Sequence, residues 1–332
     1  MSITQKTYGW IGQSIPIQTA QDNSGIFSVQ DINDLVKSNR FYVAPFDVQY
    51  LVIAGGGGGG GSHNSGWQAQ GGGGAGGYRS SVGTENTGGG LSTESVLTLE
   101  AGVEYPVSVG AGGSPTSLGT DTSFHNITSD GGGFGGTNNV AAGSGGSSGG
   151  EASHNGDGTS NNAHANNSSA TVGQGFKGGT GWYEDYNNSY NSGGGGGGAG
   201  AVGVNASFAA SGGEGGSGVT SNITGSAVGR AGGGAGAGNT AGLGPIDGGG
   251  NARTNTQTER NGADATGGGG AGIAYDKTSY SAAGTGGSGT VILLYDDSRT
   301  CTANAGVGGT EVDRGDGFKY IQLSGTGNVT FS

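Results

Sequence analysis

Two apolar segments and the glycine-rich tract between them dominate the pattern of hydrophobic and polar positions. The first segment, Tyr50-Leu51-Val52-Ile53-Ala54, passes directly into the glycines at 55–61. The second segment spans residues 290–295 and follows a glycine-rich run at 284–289. Short runs of β-branched and other apolar residues bounded by glycine predict buried β-strands. We therefore expect the chain to enter and leave its glycine-rich region through a sheet.

Shorter segments with alternating apolar and polar positions predict further strands. Residues 96–99 and 103–109 flank the turn sequence Glu100-Ala101-Gly102, which predicts a hairpin. Residues 122–128 have the same period, and residues 41–43 are another strand candidate. Near the C-terminus, segments 320–323 and 329–331 around a Ser-Gly-Thr-Gly turn predict a second hairpin.

The N-terminal residues 1–49 have a different character and read as a small separate module. Ser28 and Asp31 match the start of a capping box, and apolar Ile32, Leu35 and Val36 follow at helical spacing. This pattern predicts one short N-terminal α-helix of about ten residues. We therefore divide the chain into a small N-terminal module at 1–49, a glycine-rich domain at 50–295 and a C-terminal β-hairpin extension at 296–332.

Composition changes the picture of residues 50–295, because 85 of the 332 residues are glycine and only 30% are hydrophobic. A conventional apolar core is therefore too small for the whole chain. Glycine segments can adopt polyproline-II geometry with about three residues per turn, and their backbone groups then need partners outside the helix. Helices without side chains can approach closely enough to exchange those bonds, which predicts a bundle of polyglycine-II helices. The alternative is a flexible linker. The many short runs bracketed by strands favour the bundle, in which Ala75, Ala199, Ala235 and Ala271 mark places that tolerate a methyl group.

Charge and cysteine content exclude several classes of protein. The net charge of −12 has the wrong sign for a nucleic-acid-binding protein. There is no apolar stretch of about 18 residues that would span a membrane. The N-terminus lacks the apolar region of a signal peptide. The single Cys301 excludes an intrachain disulfide.

Four separated pieces of the chain follow one another in a distinctive order, at residues 50–55 (YLVIAG), 71–79 (GGGGAGGYR), 107–113 (VSVGAGG) and 289–295 (GTVILLY). Together they resemble the glycine-rich domain of bacteriophage tail-fibre proteins and tail-fibre tip adhesins. The resemblance implies a mainly β fold, with a β-sandwich-like base and a bundle of polyglycine-II helices whose variable connecting loops touch a bacterial receptor. Residues 296–332 depart from the simplest members of that family, which end soon after the closing strand.

The resemblance also implies a function and partners. It implies a phage virion protein, a tail-fibre or tip adhesin, that binds a host-cell receptor such as a glycan or an outer-membrane protein. Residues 1–49 would bind other tail or fibre proteins, and the protein would be made in the host cytoplasm and reside in the virion tail. The alternative is a structural virion component, a fibre shaft or connector without receptor contact. Tail fibres are commonly threefold, so a homotrimer is one alternative for the oligomeric state.

Aromatic-rich insertions between glycine runs are the candidate receptor-binding residues. Aromatic faces stack on sugar rings, while acids and amides bond to hydroxyl groups. The candidates are Trp182, Tyr183, Glu184, Asp185, Tyr186 and Tyr190 in one insertion, Tyr275 and Tyr280 in another, and Trp67 in a third. The alternative is that these rings only cap the ends of the glycine helices. Which insertions share a face depends on the direction of each glycine run, which the sequence leaves open.

No residue pattern indicates catalysis, so we predict no enzymatic activity, no cofactor and no metal site. The four histidines, at 63, 125, 154 and 164, lack metal-ligand spacing. Glu184 and Asp185 are adjacent and would point apart in a strand, so they do not form a catalytic carboxylate pair. The acids Asp296, Asp297, Asp313 and Asp316 are weak candidates for calcium ligands, and the tripeptide Arg314-Gly315-Asp316 is attributed to chance.

Overall fold

The structure is a computed structural model that describes residues 44–61, 69–138, 140–153, 162–164, 166–183, 191–207, 211–238, 242–252, 257–273 and 282–332. Within these ranges the protein is mainly β, and its strands pair antiparallel. The one described α-helix is the single turn α1 (Gln257–Arg260), which the sequence pattern did not predict. Among the described helices none is long and apolar enough to cross a membrane. The helix predicted after Ser28 and the strand candidate 41–43 lie outside the described residues.

The strands follow one another along the whole described chain. In order they are β1 (Phe46–Ile53), β2 (Tyr78–Ser80), β3 (Leu97–Leu99), β4 (Glu104–Ser108), β5 (Thr122–Phe124), β6 (Ile127–Ser129), β7 (Asn162–His164), β8 (Gly181–Tyr183), β9 (Val219–Ser221), β10 (Val228–Arg230), β11 (Thr290–Asp296), β12 (Cys301–Ala303), β13 (Glu311–Asp313), β14 (Phe318–Leu323) and β15 (Gly327–Phe331). A 3-10 turn at Gly88–Gly90 separates β2 from β3. Strands β7 and β8 form one two-stranded sheet, and β9 and β10 form another.

The larger sheet has the order β13-β14-β11-β1-β2, and β3 pairs with the start of β1. Its two central strands, β1 and β11, are the two apolar segments predicted from the sequence. They pair directly, with Tyr50 opposite Leu293 and Val52 opposite Val291. The prediction that the glycine-rich region is entered and left through a sheet is therefore confirmed.

Both faces of β1 are buried, which explains why its sequence is continuously apolar rather than alternating. Tyr50 and Val52 belong to one apolar cluster, whereas Leu51 and Ile53 belong to a second cluster on the opposite face. The second cluster also contains Ile223, from the turn between β9 and β10. That hairpin therefore helps to cover the outer face of the larger sheet.

A second sheet has five strands in the order β12-β15-β4-β5-β6. Both sheets contribute side chains to the first apolar cluster. From the second sheet come Tyr105, Val107, Phe124, Val329 and Phe331, all of which are buried. The ring of Phe331 packs edge-on against Tyr295 of the larger sheet, with ring centroids 5.2 Å apart. The two sheets thus share one core.

Both predicted hairpins are wrong in their pairing, although their strands exist. Strand β3 joins the larger sheet while β4 joins the second sheet, so residues 100–103 connect the two sheets. Likewise β14 pairs with β11, whereas β15 pairs with β4. A short turn between two alternating segments predicts strands but not partners. Here the N–H of Gly102 donates to the carbonyl of Phe331 in the second sheet.

The glycine stretches bond to one another through their main chains with a period of three residues. In residues 54–60, the N–H groups of Ala54, Gly57 and Gly60 donate to the carbonyls of residues 77, 74 and 71 respectively, with N–O distances of 2.9–3.0 Å. Gly55 and Gly58 donate to a second stretch, and Gly56 and Gly59 donate to a third. Every third N–H therefore points at the same neighbouring stretch.

Residues 54–60 are surrounded by six other stretches. Three accept their N–H groups, at 71–77, 117–120 and 284–287. Three more donate to their carbonyls, at 113–116, 132–135 and 270–273. All N–H groups from Ala54 to Gly60 and all carbonyls from Gly55 to Gly60 thus have main-chain partners. This tract is therefore enclosed by other stretches of the glycine-rich region.

The strand pairing of the larger sheet continues into the glycine stretches without a change of register. Tyr50 lies opposite Leu293, and six residues further along Gly56 donates to Gly287, which is six residues earlier than Leu293. The pairing of Ile53 with Tyr78 continues in the same way into Gly57 and Gly74. The sheet therefore sets which glycines meet.

Neighbouring stretches approach too closely for any side chain at most glycine positions. A Cβ atom added at Gly57 would lie 2.1 Å from the carbonyl oxygen of Gly133. The alanines within the runs are the exceptions. Ala75 and Ala199 point into the second apolar cluster, and Ala235 packs with Ala271 and Ala252.

We predict that Gly57→Ala destabilises the protein by more than about 3 kcal/mol, because its methyl group would collide with main-chain atoms that cannot move singly. The control is Gly315→Ala, in an open turn where an added Cβ meets nothing within 4 Å. Gly315 has a φ of 74°, so its substitution should cost about 1–2 kcal/mol. Urea unfolding followed by circular dichroism measures both. Equal losses for the two variants would contradict the packing described above.

Candidate binding surface at the distal end

The glycine stretches have a sheet end and a distal end. At the sheet end, Ala54 donates to Gly77, and both residues adjoin strands of the larger sheet. At the distal end, Gly60 donates to Gly71. Residues 54–60 rise about 19 Å from the sheet if each residue advances about 3.1 Å, as in a threefold extended helix.

The residues that flank the three aromatic-rich insertions all lie at the distal end. The N–H of Ile273 donates to the carbonyl of Gly60, and that of Ala237 donates to the carbonyl of Gln70. Gly193 in turn donates to Ala237. The chain therefore leaves and re-enters the described structure at this same end around residues 62–68, 184–190 and 274–281. The sequence left open the direction of each glycine stretch, and the structure shows that the flanks of these three insertions lie at the same end.

Buried polar side chains form a layer at the distal end. The amide nitrogen of Gln70 donates to Oδ1 of Asn138 at 2.9 Å, and both residues are buried. Ala69 and Ser153 exchange two hydrogen bonds. The fully buried carboxylate of Glu151 accepts from the N–H of Ala142 at 3.2 Å. These bonds fix the last turns of neighbouring glycine stretches where they meet the insertions.

Of the predicted binding residues, the structure describes Trp182 and Tyr183. Both lie in β8 and are half-buried. The main chain of Trp182 exchanges two hydrogen bonds with Ser192, which holds the two ends of that insertion together. The other candidates lie outside the described residues, namely Glu184, Asp185, Tyr186, Tyr190, Tyr275, Tyr280 and Trp67.

A groove of ≈ 410 Å³ lies beside the glycine stretches, and the sequence reasoning missed it. It runs between residues 177–180 and 202–205 and is also lined by Asn166. The signal in the sequence is the segment Val202-Gly203-Val204-Asn205, in which β-branched and amide residues interrupt a glycine tract. Both valines are exposed.

The Tyr50 hydroxyl, in strand β1 of the larger sheet, has a shifted pKa and a structural partner. Burial, followed by a hydrogen bond to Glu94, raises the pKa of the Tyr50 hydroxyl. Glu94 also pairs with Arg79. This cluster ties β1 and β2 to the segment before β3.

A second cluster ties the C-terminal strands to β11. Burial raises the pKa of the Cys301 thiol to about 12, which removes the thiolate needed for nucleophilic chemistry near neutral pH. Burial would also raise the pKa of Glu311. Bonds from the Cys301 N–H, the Tyr295 hydroxyl and Lys319 outweigh that effect and hold it below its usual value. The carboxylate is therefore a structural acceptor.

The remaining motifs from the sequence have local partners. Asp296 accepts from Ser298, Asp313 accepts from Gly315, and Asp316 pairs with Arg314. Arg314 also donates to the carbonyl of Ile223, so this tripeptide joins two turns. The ring of His125 packs edge-on against Tyr105. Within the described ranges, no group of three or more His, Cys, Asp or Glu residues has the arrangement of a metal site.

Comparison with known proteins gives one match. Residues 40–296 match the model of a family described as a glycine-rich domain. No curated protein and no solved structure matches the chain. The matched range ends at the last residue of β11, so β12 to β15 lie beyond it. Those later strands nevertheless pair within both main sheets.

We predict that Glu311→Gln lowers the free energy of unfolding by about 1.5–3 kcal/mol at neutral pH, the usual value of charge-assisted hydrogen bonds. Since the folded-state pKa of Glu311 is lowered, its stabilisation is present above the ordinary glutamate pKa of about 4.3 and is lost as pH falls through the folded value. The difference in the free energy of unfolding between variant and wild type should therefore shrink as the pH falls below about 4.3. Unfolding curves from neutral to acidic pH test this, with Glu104→Gln, an exposed carboxylate, as the control. A difference that stays constant at all pH values would contradict it.

Proposed function

The chain belongs to the glycine-rich domain family, and we propose that it is a bacteriophage tail-fibre or tail-fibre tip adhesin. In this proposal it binds a receptor on the host surface, a glycan or an outer-membrane protein. The observation that carries the proposal is that the described residues flanking the three aromatic-rich insertions all lie at the distal end.

The proposal includes a finer description of the fold. We interpret the two sheets with their shared core as a β-sandwich-like base. We interpret the threefold hydrogen-bond period and the six neighbours of residues 54–60 as a bundle of polyglycine-II helices. The base anchors the bundle, and the bundle carries the binding loops on its far side.

Rigidity of the support favours binding. Ordering a loop on binding costs conformational entropy, and a support that holds the loop ends in place reduces that cost. The ends of the insertion at 184–190 are joined by the main-chain bonds between Trp182 and Ser192. The rings and acids predicted there supply stacking faces for sugars and hydrogen-bond partners for hydroxyl groups.

The remaining parts of the proposal follow from the virion role. Residues 1–49 attach the protein to other tail or fibre proteins, and the protein resides in the virion tail. It acts without catalysis, cofactor, nucleic-acid binding or membrane insertion. A homotrimer fits this setting, because the tail fibres that the chain resembles are commonly threefold.

A structural role in a fibre shaft or connector is the second candidate function. It is favoured by the density of main-chain bonding, which suits a rigid spacer. Electron cryomicroscopy of the particle separates the two functions. Free distal ends support adhesion, whereas distal ends buried between subunits support a connector.

We predict that fluorescently labelled protein binds a subset of strains in a panel of bacteria. Replacing residues 184–190 with glycine and serine should abolish that labelling, because it removes four of the six candidate residues of this insertion, Glu184, Asp185, Tyr186 and Tyr190, while Trp182 and Tyr183 in β8 are kept. The matched control is Glu100→Ser with Ala101→Gly, a turn between the two sheets. Thermal unfolding of both variants checks that they fold. Equal labelling by the loop variant and the wild type would reject residues 184–190 as the site, and no labelling of any strain would count against adhesion.

A further inference from the structure

The groove noted above lies between two adjacent stretches whose main chains are joined. Gly203 donates to the carbonyl of Lys177 at 2.9 Å, and Ala206 donates to that of Thr180 at 2.8 Å. The groove has a volume of ≈ 410 Å³. Sites for small molecules usually measure about 300–1,000 Å³, so the groove is large enough for a single sugar ring.

The groove has an apolar side and a polar side. Val202 and Val204 present exposed methyl groups. Oδ1 of Asn205 accepts from the N–H of Thr180 at 2.9 Å, which orients the amide and leaves its NH₂ group to donate. The buried Asn166, which also lines the groove, donates to the carbonyl of Gly149 at 2.8 Å, and this bond holds its side chain in place.

Lys177 contributes a positive charge to the lining of this groove. It is exposed, and in the described part of the chain its ammonium group has no ion pair. The other described cations are paired, buried or stacked. Arg79, Arg314 and Lys319 form ion pairs, Arg230 and Arg260 are buried, and Arg299 lies over the ring of Phe46. The ammonium group of Lys177 therefore attracts an anion locally, whereas the net charge of −12 of the chain repels anions at longer range.

We infer that this groove binds an acidic sugar, a pyranose ring that carries a carboxylate. The carboxylate pairs with Lys177, the ring hydroxyls bond to Asn205 and Thr180, and the apolar ring face lies on Val202 and Val204. A single ammonium group suits a monoanion better than a phosphate dianion, which would need further donors. The inference deepens the proposed function by naming a ligand class, and it rests on that function only for the biological source of the sugar.

The test is an NMR titration of the ¹⁵N-labelled full chain with methyl β-D-glucuronide, and with methyl β-D-glucoside as the neutral control. We expect the glucuronide to shift the amide resonances of Lys177, Thr180 and residues 202–205. The glucoside should bind about three- to fivefold more weakly, as expected for loss of one exposed ion pair. Raising the salt concentration to about 0.5 M NaCl should reduce the difference in affinity between glucuronide and glucoside, because salt screens the ion pair with Lys177.

Variants of Lys177 identify the contact. Lys177→Gln should reduce glucuronide affinity to that of the glucoside, while Lys177→Arg should retain it. Since this side chain is exposed and unpaired among the described residues, neither change should affect folding. Unchanged affinity in Lys177→Gln, shifts confined to other residues, or displacement of the glucuronide by an equal concentration of inorganic phosphate would overturn the inference.

The outcome separates this inference from the proposed function. Glucuronide binding in the groove without labelling of any bacterial strain leaves the inference standing and counts against adhesion. Labelling of bacteria without glucuronide shifts overturns the inference and leaves adhesion supported.

Discussion

The structure depends on hydrogen bonds between the main chains of stretches that consist mostly of glycine. In an ordinary domain, apolar side chains fill the space between elements, and the backbone bonds mostly within its own helix or sheet. Here the stretch at 54–60 exchanges its N–H and carbonyl groups with six neighbouring stretches. Ordering glycine costs more backbone entropy than ordering any other residue type. Many cooperating hydrogen bonds, shielded from water, must offset that cost. These bonds require the main chains to approach closely, so an added Cβ at Gly57 would have no room.

The two sheets supply what the glycine stretches lack, namely apolar burial and a defined register. Glycine has no side chain that distinguishes one alignment from the next, so a glycine stretch alone could slide against its neighbours. Strands β1 and β11 bury both of their faces, and their pairing continues unchanged into the glycines. Strands β14 and β15, which lie beyond the matched family range, complete both sheets. The C-terminal residues therefore contribute to the same core that aligns the glycine stretches.

Under the proposed function, this arrangement separates stability from recognition. The apolar clusters and the shifted groups Tyr50, Cys301 and Glu311 lie in the sheets, where their partners are structural. The distal end has a buried polar layer instead, with Gln70 and Asn138 bonded to each other. Insertions there can vary without disturbing the apolar core. The groove beside Lys177 uses the same principle, because its side chains project from stretches that are held by their backbones.

The amino-acid sequence alone determined the strands at both ends of the glycine tract, the mainly β character and the dependence of the tract on glycine. These features are local, because a continuous apolar run needs burial on two faces and a glycine run cannot bury side chains. Only the tertiary structure decided that β3 and β4, like β14 and β15, belong to different sheets, since alternation specifies a strand and not its partner. It also decided that the flanks of three distant insertions meet at one end and that Lys177 faces a groove, because the direction of each glycine stretch follows from bonds between residues far apart in the chain.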